Sequence, residues 1–74
     1  MKWLSLQEVK SMEIYTQDLI ERIIENTTGE IAPWWTVTKR DPFSEYISAR
    51  TPEKAHLIHA EIIAEVRESL GAKL

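Results

Sequence analysis

The sequence predicts an α+β fold, with two long amphipathic helices flanking one antiparallel β-hairpin in a helix–hairpin–helix order. Three observations predict it. The chain opens on a capping box, Ser5-Leu6-Gln7-Glu8, followed by apolar residues at helical spacing. It closes on a second helical run bounded by Thr51-Pro52 and Gly71. The segment between is rich in aromatic and β-branched residues. Seventy-four residues hold one domain, 1–74, with helices over about 5–26 and 52–70 and the hairpin over about 34–49.

The first helix starts where the Ser5 oxygen can accept from the Glu8 backbone N–H while the Glu8 carboxylate reaches back to Ser5 N–H. Leu4 and Val9 fit the hydrophobic staple around it. At about 100° per residue, Leu6, Val9, Met12, Tyr15, Leu19, Ile20, Ile23 and Ile24 fall on one half of the wheel. Ile14 lies far outside that half, and Glu13 and Thr16 intrude on it. Gly29 suits the left-handed residue that ends the helix.

Pro33-Trp34-Trp35-Thr36-Val37-Thr38 and Ser44-Glu45-Tyr46-Ile47-Ser48-Ala49 read as two strands, and Lys39-Arg40-Asp41-Pro42-Phe43 as the turn between them. A four-residue loop pairs Trp35 with Tyr46; a five-residue loop pairs Trp35 with Ile47. Strand neighbours face opposite sides. One of Trp34 and Trp35 therefore enters the core, and the other meets a partner or is covered by the first helix or by Met1–Leu4 with Trp3.

In the last helix Thr51 is the N-cap, Pro52 takes the first position, where its missing N–H is harmless, and Gly71 is the stop. Ala55, Ile58, Ile62, Ile63, Val66 and Leu70 form one apolar arc, with His59 in its middle. Leu57, Ala60 and Ala64 form a second stripe on nearly the opposite side. A helix apolar on two sides is normally covered on both. That stripe is the expected self-association face, although helix propensity alone also accounts for alanines there.

Composition sets the function classes. The chain has no cysteine, so disulfides, thiolate zinc sites and cysteine nucleophiles are excluded. A domain this small buries only about 60% of its unfolded surface, so completion by a homodimer or larger oligomer is expected. No apolar run reaches the ~18 to 20 residues that cross a bilayer, and Met1–Ser5 lacks the apolar core of a signal peptide; the expected location is cytoplasmic. The net charge is −3. The acids concentrate in residues 1–30, and the cations Lys39, Arg40, Arg50 and Lys54 lie in the middle segment beside Asp41, Glu45 and Glu53.

Nothing marks a catalytic constellation. Both glycines are helix stops, so there is no phosphate-binding loop. Glu53-x-x-His56 is one copy of a half-motif that di-metal bundles need twice, and His59 on the apolar arc reads as a hydrogen-bonded core histidine. No enzyme activity, metal or cofactor is expected. The expected function is a small regulatory or inhibitory protein that works by protein–protein contact. Trp34, Trp35, Lys39, Arg40, Phe43, Tyr46 and Arg50 form the expected partner surface, and Leu57, Ala60 and Ala64 the self-association face. A third reading uses the same rings and cations to hold a small nucleotide-like ligand.

Trp3-Leu4-Ser5-Leu6-Gln7-Glu8 resembles the opening of phage excisionases and related small winged-helix DNA binders. The resemblance implies DNA binding, with the 34–50 hairpin as the wing, a break in the first helix near Tyr15-Thr16, and residues 17–26 as the recognition helix. That stretch carries three acids and one arginine, against the phosphate neutralisation that dominates DNA affinity. DNA binding is therefore the alternative reading.

Overall fold

The computed structural model of the chain describes residues 3–71. It is all-helical: α1 (Leu6–Thr28), a short 3-10 turn (Trp34–Thr36), α2 (Pro42–Ala49) and α3 (Pro52–Leu70). The expected α+β class is overturned, because the described residues contain no strand and the 34–49 hairpin is a turn followed by a helix.

The reason lies in Asp41-Pro42. The Asp41 carboxylate accepts from the backbone N–H of Phe43 at 3.1 Å and from the Ser44 hydroxyl at 2.9 Å. Pro42 occupies the first turn of α2. This is the same N-cap and proline pairing that opens α3. Pro42, Tyr46 and Ala49 recur at helical spacing and are the buried residues of α2. Strand propensity in Tyr46 and Ile47 yields to this capping and burial.

α1 begins at its capping box, with Ser5 N–H donating to Glu8 Oε1 at 3.0 Å and Glu8 N–H to Ser5 Oγ at 3.1 Å. It runs unbroken through Tyr15 and Thr16. It ends where Gly29, at φ +79°, donates its N–H to the Glu25 carbonyl. α3 starts on Thr51, whose hydroxyl accepts from Lys54 N–H.

α1 and α3 run parallel. Val9 and Ala55, near their starts, share one apolar cluster with Tyr46 and Ala49. Ile20, Ile23 and Ile24 share a second with Ile62 and Val66, further along both helices. The segment from Trp34 to Ala49 descends between these ends, and the molecule measures 42 × 19 × 18 Å. Trp34 is pinned at the upper end, its backbone N–H donating to Glu21 Oε2 at 3.1 Å while its ring packs on the upper cluster. At the lower end Leu4 N–H donates to the Arg50 carbonyl at 2.7 Å. Arg50 turns the chain from α2 into α3 at φ +68°, a conformation that costs a non-glycine residue on the order of 1 kcal/mol. Of the N-terminal cover expected over the tryptophans, Met1 and Lys2 lie outside the described residues.

Candidate functional site

Two features stand out. The first is a polar layer set between the two apolar clusters. Thr16 lies between Val9 and Ile20 along α1, and His59 between Ala55 and Ile62 along α3. Tyr46 reaches them from α2. Thr16 and Tyr46 are fully buried and His59 half-buried. Thr16 Oγ1 is 2.7 Å from Tyr46 Oη and 3.1 Å from His59 Nδ1, and Tyr46 Oη is 3.2 Å from the same nitrogen. The Thr16 hydroxyl also donates to the Met12 carbonyl at 2.8 Å.

Proton counting assigns the histidine tautomer. The Met12 carbonyl cannot donate, so the Thr16 proton serves that bond. The Thr16–Tyr46 contact then takes the Tyr46 proton. Both contacts to His59 require a proton on Nδ1, shared between the two oxygens. Neutral His59 therefore carries its lone pair on Nε2. No buried side-chain nitrogen or oxygen of the described residues lacks a partner, and Nε2 takes part in none of the hydrogen bonds, so it is open to solvent.

The Tyr15 ring stacks on the His59 ring, with centroids 5.6 Å apart and planes at 27°. Together with Ser11, Met12, Thr16 and His56 they line a cavity of about 220 Å³ with an almost wholly apolar wall.

Burial, and secondarily the nearby His56, hold His59 below its ordinary value of 6.5, while burial pushes the Tyr46 hydroxyl up. The folded chain then takes up the His59 proton at lower pH than the unfolded chain. The stability due to this group is complete above 6.5 and drains as pH falls from there through the folded value. Urea midpoints measured between about pH 8 and pH 5 should fall more steeply for the native chain than for His59→Gln. Equal slopes would remove His59 as a source of the pH dependence.

The second feature is an apolar concavity of about 360 Å³ at the lower end, lined by Trp3, Leu4, Leu6, Val9, Tyr46, Ile47 and Arg50. Trp3, Leu6 and Ile47 are 54%, 60% and 44% exposed. The Arg50 guanidinium carbon sits 5.9 Å from the centroid of the Trp3 ring, a cation–π contact.

The residues expected on the partner surface are dispersed. Trp34 is half-buried against the core, and Trp35, 62% exposed, meets it edge-on at 5.8 Å. Lys39 is exposed. Arg40 is occupied: Nε donates to Glu45 Oε2 at 2.8 Å, Nη2 to Glu45 Oε1 and to Glu61, and Nη1 to Glu65. The hydrogen bonds that Arg40 donates to Glu45 lead the causes that raise its pKa further above the usual arginine range. Phe43 is half-buried against the lower cluster, and Tyr46 is fully buried. Arg50 lies at the lower concavity, apart from Trp35 and Lys39 in the chain's descent. Leu57, Ala60 and Ala64 are all exposed on α3.

Trp3, Leu6 and Ile47 were not foreseen on a common surface. The signal for Ile47 is present only if 42–49 is read as a helix, since its neighbours Tyr46 and Ala49 then turn inward without it. No cluster of three or more histidine, aspartate or glutamate side chains suited to a metal occurs among the described residues, and no described helix is long and apolar enough to cross a membrane. Compared with protein-family models, with curated proteins and with solved structures, the chain matches none.

Proposed function

We propose that this protein works without catalysis, by docking the apolar surface around Trp3, Leu6, Ile47 and Arg50 onto another protein. The observation that carries the reading is the concavity itself: three large apolar side chains stand mostly or half uncovered around one hollow, beside a tryptophan–arginine pair. Tryptophan and arginine are the residue types most enriched among binding hot spots. Exposed apolar residues gathered on one patch, unlike single ones, mark an interaction surface. Arg40, neutralised by its carboxylates, offers little to a nucleic-acid phosphate, and the wing of the DNA-binding alternative has no strand to form it.

The test compares Ile47→Glu with Ile14→Glu, an exposed apolar position elsewhere on α1. Tagged native protein and both variants are used as baits in quantitative affinity capture. A partner held by the native chain and by Ile14→Glu, but lost by Ile47→Glu at unchanged circular dichroism, is the expected result. Recovery of the same proteins by all three baits would overturn the assignment of this surface. Self-association through Leu57, Ala60 and Ala64 belongs to the same proposal. Its support is that all three side chains are exposed on one helix. Sedimentation should give a dimer for the native chain and a monomer for Ala60→Glu, and a monomeric native chain at high concentration would dispose of it.

A further inference from the structure

Between α1 and α3, on side chains that the Trp3 surface does not use, we infer a binding site for a small aromatic molecule bearing one hydroxyl donor, of the phenol class. The cavity of about 220 Å³ is somewhat larger than the ~150 Å³ apolar cavity that takes up benzene. It is lined by Met12, Thr16, His56 and Ser11 and by Tyr15 and His59, whose rings stack on each other. A flat ring is a shape that packs well against aromatic rings and a methionine side chain.

The donor requirement comes from the polar layer. Thr16 and Tyr46 spend their protons on Met12 and on each other, and His59 spends its Nδ1 proton on both of them. The imidazole is thereby locked in one tautomer and one orientation, with nothing left to donate. His59 lines this cavity, and the ring nitrogen it leaves accessible is Nε2, whose lone pair accepts and cannot donate. A ligand hydroxyl answers that lone pair. A carbonyl or an ether of the same size does not, and it would strip water from Nε2 without replacing the hydrogen bond. A ring held by other residues of the chain and an acceptor fixed from behind make the site pre-organised, which lowers the ordering cost of binding.

The experiment is a titration of the isotope-labelled full chain with phenol, and separately with anisole, near pH 8, followed by amide and imidazole NMR. Saturable shifts confined to Ser11, Met12, Tyr15, His56 and His59, with anisole at least tenfold weaker than phenol, are expected. Ser11→Trp provides an arm that leaves the core untouched, because Ser11 is exposed. The indole should plug the cavity and abolish phenol shifts at an unchanged melting temperature. His59→Phe should bring phenol and anisole within twofold of each other, since it removes the acceptor and keeps a ring beside Tyr15. Equal affinity for phenol and anisole in the native chain would overturn the donor requirement. Shifts that fail to saturate, or phenol binding unchanged in Ser11→Trp, would overturn the site. None of these outcomes bears on capture of a protein partner by Ile47, so the two readings fail separately.

Discussion

Tyr46→Ala is expected to destabilise the fold by about 3–5 kcal/mol, on the scale of other buried aromatic truncations. A domain of this length has a total stability of about 4–11 kcal/mol. The variant should therefore lose a large share of its stability and unfold at a much lower urea concentration than the native chain. Three consequences combine. The Tyr46 ring is fully enclosed and joins α2 to the lower cluster of Val9, Ala49 and Ala55. α2 has only eight residues, too few to persist without tertiary contacts. Releasing α2 also frees the Arg50 corner to which the N-terminal segment is tied. Urea unfolding followed by circular dichroism measures the loss.

Tyr46→Phe separates the ring from its hydroxyl. Thr16 still donates to Met12 and still accepts from His59, so no buried donor is stranded. The expected cost is about 1 kcal/mol, the net value of one hydrogen bond. Thr16→Val is more informative about the layer. With Thr16 gone, Tyr46 has a proton and only His59 to give it to, and imidazole nitrogen shifts should report the proton moving from Nδ1 to Nε2. If Tyr46→Phe is as damaging as Tyr46→Ala, it is the hydroxyl and not the packing that holds α2 in place.

These residues also show how far the sequence was legible. The capping box at Ser5–Glu8 and the Thr51-Pro52 start are local signals, satisfied by neighbours within one turn, and α1 and α3 begin there. Asp41-Pro42 is a signal of the same kind. It reads equally as a turn, because a short acid before proline initiates both turns and helices. Only the inward set of Pro42, Tyr46 and Ala49, which needs α1 and α3 to pack against, decides between them. The polar layer was half legible. Thr16 on the apolar half of α1 and His59 on the apolar arc of α3 each look anomalous alone. Each is the other's explanation, through a contact 43 residues apart in the chain, which no local pattern reports. The apolar surface at Trp3 was hidden for a different reason: it is assembled from the chain's beginning and from the outer side of α2.

Arg40→Met carries the second-largest expected effect, a loss of about 2 kcal/mol, near the value of charge-assisted hydrogen bonds. Most of it comes from Glu45, which receives two of the guanidinium's donors and is itself largely covered. Glu61 and Glu65 are more than half exposed, so their pairs add little individually. Their weight appears when the arginine is removed. Three carboxylates are then left around one uncharged side chain, and their repulsion acts between the 39–45 segment and α3. Salt should separate the two contributions. Near 1 M salt the screening length is about 3 Å, so the variant should regain part of its lost stability while the native chain gains little or loses some. Arg40→Lys should recover less than half of the difference, because an ammonium cannot present the planar fork that engages Glu45 through two nitrogens. Full stability in Arg40→Lys would mean that charge alone fastens the connecting segment to α3 and that the forked geometry contributes nothing.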